Sequence, residues 1–253
     1  MKKLISLVFI VAALAVSAQK KKAKEQKPAE PAVEQKAVPT VDTVKKQQAP
    51  QANPLVEHFI RKYQLATRWG DESEARDAIY DLIAENAVND SIIFNLALSY
   101  FDSRQYAPAL LVTRDLLSQN PKSINLLELQ GASYEGLGLK EKALPSYEAI
   151  YLQTSNVGVL YKMAALQFDT KKYPEAITNL DIILTKPEAL TLKATFNDAQ
   201  GKPKDYVLKV SVLNLKGLIV QETDKVAARK LYTEALALAP DFAPAKENLA
   251  KLK

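Results

Sequence analysis

Few residues in this chain have the chemistry of an active site. Its 253 residues include one histidine, His58, and no cysteine. Zinc sites of the Cys/His kind need ligands that this sequence does not supply. A Ser/His/Asp arrangement would have to use His58, and no nucleophile motif surrounds it. The seven glycines are scattered and form no phosphate-cradling loop. The adjacent carboxylates Asp71, Glu72 and Glu74 follow Gly70, where acidic side chains favour the start of a helix. The expectation is a protein with no catalytic, cofactor or metal site, one that works by binding.

The elements that would present a binding surface are set by a period. Ala75, Ala109, Ala143, Ala176 and Ala228 are separated by 34, 34, 33 and 52 residues. The last gap equals one period plus an insertion of 18. Other columns keep the register. Four residues past each alanine stand Ile79, Thr113, Tyr147, Leu180 and Tyr232, and upstream stand Phe59, Ile93, Leu127, Leu160 and Leu213. A third column reads Tyr63, Ala97, Gly131, Ala164 and Gly217, and Pro121, Pro187 and Pro240 close three segments. Small residues at two fixed positions let the two helices of a hairpin cross closely. Each unit then keeps an apolar face that only its neighbour can cover.

The pattern resembles the tetratricopeptide repeat (TPR), a helix–turn–helix of about 34 residues. The strongest matches are Leu127-x2-Gln130-Gly131-x2-Tyr134…Ala143-x3-Tyr147 and Ile93-x2-Leu96-Ala97-x2-Tyr100…Ala109…Pro121. The resemblance implies an all-α, right-handed solenoid with repeats at 56–89, 90–123, 124–156, 157–189 and 209–242, closed by a capping helix at 243–253. The insertion at 190–208 reads differently. Leu190, Leu192, Ala194 and Phe196 alternate with polar residues, turn formers follow, and Tyr206, Leu208 and Val210 alternate again. Period-two alternation around a turn predicts a small β-hairpin between repeats four and five, its apolar face packed on their helices. It is either a structural elaboration or a free strand edge for a partner. Repeat one, with Tyr63 in the small-residue column and Lys62 beside it, is expected to pack differently. Trp69 reads as a packing residue. Pro145, two residues past Ala143, predicts a kink or a late helix start.

In proteins of this family the first helix of each repeat lines an inner groove that holds peptides or helices. The resemblance carries that role to Phe94, Leu98, Phe101 and Asp102 in repeat two and to Glu128, Ala132 and Glu135 in repeat three. In repeats four and five it carries it to Tyr161, Ala165, Phe168 and Asp169, and to Asn214, Leu218 and Gln221. These positions in repeats two to four lack the Lys, Asn and Arg of the carboxylate-binding members. The groove reads as aromatic and acidic, suited to an apolar protein segment or peptide carrying Lys or Arg. The alternative is that several of these aromatics pack between repeats.

The N-terminal region is of another kind. Lys2 and Lys3 precede an apolar run from Leu4 to Val16, and Val16-Ser17-Ala18 offers small residues for cleavage. That predicts a secretory signal peptide at 1–18, with a run too short to span a bilayer. With no cysteine, lipid attachment at a signal-peptide cysteine is excluded. Residues 19–54 are Lys-, Pro-, Ala- and Gln-rich and predict a disordered linker that is either a tether or a solubilising tail. Residues 1–54 contain 10 lysines and 4 acids; 24 basic and 25 acidic residues remain, so the repeats are nearly neutral. Nucleic acid is excluded as a partner by that balance and by the leader. No stable membrane insertion is expected after cleavage.

The sequence therefore predicts a periplasmic, non-catalytic scaffold that binds another protein through its concave groove. Secretion is the alternative location. Alternative roles are a subunit of an envelope assembly complex and a glycan- or peptidoglycan-associated protein. Five-TPR lipoproteins of outer-membrane assembly are similar in size but carry a lipid-bearing cysteine.

Overall fold

The computed structural model describes residues 53–198 and 200–252; the predicted leader and almost all of the predicted linker lie outside them. Among the described residues, helices pair in sequence order: α1 (Pro54–Trp69) with α2 (Glu72–Ala84), α3 (Asp90–Asp102) with α4 (Tyr106–Gln119), α5 (Ile124–Gly136) with α6 (Lys140–Thr154) and α7 (Val157–Asp169) with α8 (Tyr173–Leu184). A 3-10 turn (Pro187–Leu190) leads into a hairpin of β1 (Lys193–Asn197) and β2 (Pro203–Val207). α9 (Leu208–Val220) pairs with α10 (Lys225–Leu238), and α11 (Ala243–Lys251) follows. The architecture is a helical repeat of paired helices with one two-stranded hairpin.

Local chemistry sets the helix ends. The side chains of Asn53, Asp71, Asn89, Asn156 and Asp224 each accept from a backbone N–H in the first turn of the helix they precede. The turn inside each of the first four pairs needs one residue in the left-handed region. Gly70, Arg104, Gly138 and Lys171 supply it, with φ between 58° and 74° and the same spacing as the alanines. Two glycines fit this conformation freely; Arg104 and Lys171 adopt it at a steric cost of about 1 kcal/mol each.

The columns form the core. Ala109, Ala143, Ala176 and Ala228 are fully buried. Opposite them the helices interlock by size. A Cβ on Gly131 would lie 2.8 Å from the ring of Tyr147, and one on Gly217 would lie 2.4 Å from that of Tyr232. Where the first helix carries alanine instead, at Ala97 and Ala164, the second carries the smaller Thr113 and Leu180. Repeat one departs as expected. Tyr63 displaces the close approach by one turn, so Ala66 and Ala78 are buried and Ala75 is only half-buried. Trp69 is corrected: it is 74% exposed, at the last position of α1 before the turn.

Pro145 does not delay its helix. α6 begins at Lys140 and runs through it. The proline is exposed, so the carbonyl left without a donor one turn earlier can be solvated.

The hairpin is shorter than the alternation implied. Leu190 ends the 3-10 turn, while Leu208 and Val210 belong to α9. Tyr206 pairs with Ala194 across the strands and Phe196 with Lys204. Phe196 and Tyr206 meet the buried ring of Phe242 edge-on at 5.2 and 4.9 Å, just before α11. Lys204 forms an ion pair with Asp241, which also accepts from the Tyr206 hydroxyl. Ala194 touches the core of repeat four. The hairpin thus fastens repeat four to the last helix pair and the terminal helix.

Candidate protein-binding groove

Stacking the pairs leaves an open cleft of about 580 Å³ where the start of α3, the end of α4 and the start of α5 meet. Its apolar lining is Phe94, Leu116, Pro121 and Leu126. Amides and hydroxyls also line it: Ser91, Asn95, Gln119, Asn120, Ser123 and Asn125. Asp90 and Lys122 bring one charge of each sign. Asn120 is held by Asp90 at 2.9 Å, and Asn95 donates to the Tyr63 hydroxyl at 3.3 Å. An apolar floor under paired donors and acceptors suits an apolar side chain together with the peptide backbone that carries it.

Of the residues implied by the resemblance, Phe94 lies in this cleft. Asp102 and Glu128 are exposed and carry no ion pair among the described residues. Asp102 sits about 12 Å further along α3 than Phe94, eight residues at the helical rise. Leu98, Ala132 and Leu218 are half-buried.

The others are engaged inside the molecule. Phe101 meets the Tyr106 ring edge-on at 5.4 Å, and Tyr106 in turn lies against Gly136 of the next repeat. Phe168 meets Tyr173 at 5.9 Å. Both phenylalanines are half-buried against a ring of their own repeat. Tyr161 is 6% exposed and Ala165 is also buried, because α9 brings Leu208, Val212 and Leu215 into the same cluster. Burial raises the Tyr161 hydroxyl to about 12 against the opposing effect of its hydrogen bond with Ser211. Asn214 is buried and accepts from Asn248 of α11 at 3.0 Å, and Gln221 accepts from the Tyr232 hydroxyl at 3.0 Å. Tyr161 and Asn214 therefore cannot meet a partner in this state.

Two of the acids are already paired. Lys162 holds Glu135 at 2.8 Å and lies over the Tyr147 ring, whose hydroxyl donates to Glu135 at 2.5 Å. Burial, then the charge of Glu135, pushes the Tyr147 hydroxyl well above its ordinary value. Lys140 holds Asp169 at 2.6 Å. The groove is consequently less acidic than the sequence implied. It also carries amide and hydroxyl side chains beyond those expected: Asn95 stands beside Phe94, and Ser91 and Asn125 are 34 residues apart at equivalent places in repeats two and three. That period was the signal that could have found them.

Among the described residues no group of three or more His, Cys, Asp or Glu side chains converges to hold a metal, and no helix is long and apolar enough to cross a membrane. The arrangement offers shape, amides and two exposed carboxylates.

The stacked pairs can be matched to known architectures. A crystal structure of a tetratricopeptide repeat protein from Parabacteroides merdae ATCC 43184 is similar, with a TM-score of 0.58 and 20% identity, over 79% of this chain and 73% of that one. The fold is TPR-like. MamA from Desulfovibrio magneticus RS-1, taken from residue 41 to its end, is similar with a TM-score of 0.53 and 14% identity, over 76% of this chain and 98% of that one. No family model matches the sequence, and no curated protein matches it. The Phe94 cleft takes in the first turns of α3 and α5, the first helices of their pairs, together with the end of α4 and the loop at 120–123.

Proposed function

We propose that this chain is an exported, non-catalytic scaffold that holds a segment of another protein in the groove of its TPR-like solenoid. The observation that carries the reading is the Phe94 cleft, an apolar floor rimmed by the amides of Asn95, Gln119, Asn120 and Asn125 and open along one side. An apolar side chain of the partner enters beside Phe94. Asn125 and Gln119 bond its backbone, and a Lys or Arg about 12 Å away meets Asp102. The leader-like stretch Lys2–Ala18 supports export, with the periplasm as the destination. In that compartment the scaffold would serve contacts among envelope proteins, including an assembly complex.

The test is a binding titration with peptides that pair an aromatic or leucine residue with a lysine at variable spacing. Phe94→Ala is expected to weaken the best peptide at least tenfold, and Asp102→Lys several-fold, with helix content unchanged. Equal affinity in both variants contradicts the groove reading. Fractionation of cells and N-terminal sequencing of the mature chain test export; an unprocessed chain in the cytoplasm contradicts it.

A further inference from the structure

The two ends of the solenoid are built differently. At the C-terminal end, α11 buries Ala245 beside the buried Phe242 and Leu252 that flank it, and turns Lys246, Glu247 and Lys251 to solvent. At the N-terminal end, nothing among the described residues covers α1 in this way. The repeat register shows which face is bare. The places equivalent to Leu65 in repeats two, three and four are Ser99, Ser133 and Leu166. Ser99 and Ser103 receive Arg76 of the preceding helix pair at 3.1 and 3.3 Å, and Ser133 and Leu166 are buried. This is the face that each later repeat covers with the second helix of the repeat before it. On α1 that place is Leu65, with Leu55 and Trp69 on the same side of the helix toward its two ends; Leu55, Leu65 and Trp69 are 45, 44 and 74% exposed. Beside them opens a cleft of about 620 Å³ lined by His58, Arg61, Lys62, Leu65, Ala66, Trp69, Asp71 and Glu74.

With the leader-like run Leu4–Val16 taken as removed on the proposed reading, three occupants are conceivable. Residues 20–52 contain no Leu, Ile, Met, Phe, Tyr or Trp to fill an apolar cleft. The C-terminal end of a second copy offers the charged face of α11. A second α1 offers the matching apolar surface. Two α1 helices laid antiparallel across a two-fold axis bring Leu55 of each against Trp69 of the other. Glu57 and Arg68 lie on the same flank of α1, and the two-fold axis sets each Glu57 against the other copy's Arg68. Lys62, near the axis, is already held by Glu74 and Asp81 at 3.3 and 3.5 Å.

We propose that the uncovered α1 face is a self-association surface, on which two copies of this chain pair antiparallel through Leu55, Leu65 and Trp69. One helix on each side covers less than the ~800 Å² per partner of a standard interface, so the dimer is weak, with a dissociation constant on the order of tens of micromolar. A dimer of this kind presents two Phe94 grooves and gains avidity for paired partners.

Trp69 is the only tryptophan of the chain and reports on its own surface. Sedimentation velocity and tryptophan emission are measured on the full chain from about 1 to 500 µM, a range that brackets the expected constant. The expected result is a monomer with solvent-like emission at the low end, and a dimer with blue-shifted emission at the high end. Trp69→Asp, read by mass alone, weakens the dimer at least tenfold. Glu57→Arg weakens it several-fold, and Glu57→Arg with Arg68→Glu restores it. Leu111→Asp, at an exposed site on α4, leaves it unchanged. Circular dichroism confirms equal helix content throughout. A monomer at every concentration overturns the proposal. So does a monomer whose Trp69 is shielded at the lowest concentration, since a segment of the same chain then covers the face. A dimer indifferent to Trp69→Asp overturns it as well.

Discussion

Gly217→Ala is the sharpest probe of how these helices are fitted together. The added methyl would lie 2.4 Å from Cε1 of Tyr232 and 2.9 Å from its Cδ1 and Cζ. Carbon atoms rest at about 3.5–4.0 Å, so the ring must retreat by about 1 Å. It has nowhere to go: Tyr232 is fully buried, and its hydroxyl is tied to Gln221. Overpacking of this kind costs about 1–3 kcal/mol, and the 2.4 Å approach puts it at the upper end. Alanine returns up to ~1 kcal/mol of helix propensity. The expected net loss is therefore about 2 kcal/mol, read from urea unfolding followed by circular dichroism. Tyr232→Leu alone is also destabilising, because it leaves a cavity over Gly217. The double variant recreates the alanine–leucine pair of repeat four, Ala164 with Leu180, and is expected to be more stable than the sum of the singles by about 2 kcal/mol. A Gly217→Ala variant as stable as the parent, or an additive double variant, would refute the idea that residue size at these two columns sets the helix crossing.

Other outcomes follow from single sites. Ser133 is fully buried, and its hydroxyl has no hydrogen-bond partner among the described residues, so Ser133→Ala is expected to raise stability by about 1 kcal/mol in the same assay. Phe242→Ala removes the buried ring that receives both Phe196 and Tyr206; it is expected to cost about 3–5 kcal/mol and to raise hydrogen exchange in β1 and β2 before the helices. Burial raises the hydroxyls of Tyr161 and Tyr232 to about 12 in the folded chain, so the neutral forms favour the fold. Their contribution is fully present below the unfolded value near 10. It is lost as the pH rises from there through about 12, at ~1.4 kcal/mol per pH unit for the fully buried Tyr161. Unfolding curves at stepped alkaline pH check the onset, and Tyr161→Phe should flatten it.

The repeat was legible because packing imposes a size on a column: the alanines, and the glycines facing tyrosine, recur wherever two helices cross. The groove was legible only in part. Glu135 and Asp169 looked available until stacking placed Lys162 and Lys140 beside them, and that pairing joins residues from different helices. Tyr161 looked like a groove residue by register, but the helix that follows the hairpin covers it. No local pattern announces that. Trp69 is exposed for a simpler reason: it ends α1, and its register equivalents Leu137 and Glu222 are exposed as well, so this column is not a core column. Leu190, Leu208 and Val210 continued an alternation that the backbone ended sooner, since apolar spacing of two also fits a helix entering a core.

The most direct test of the proposed function is site-specific photocrosslinking in cells. A crosslinker is placed at Asn125 in the cleft and, for comparison, at Leu111, an exposed residue outside its lining. The account predicts a defined protein adduct from Asn125 that disappears in the Phe94→Ala background, with none from Leu111. Equal adducts from both positions, or an Asn125 adduct that survives Phe94→Ala, would contradict it.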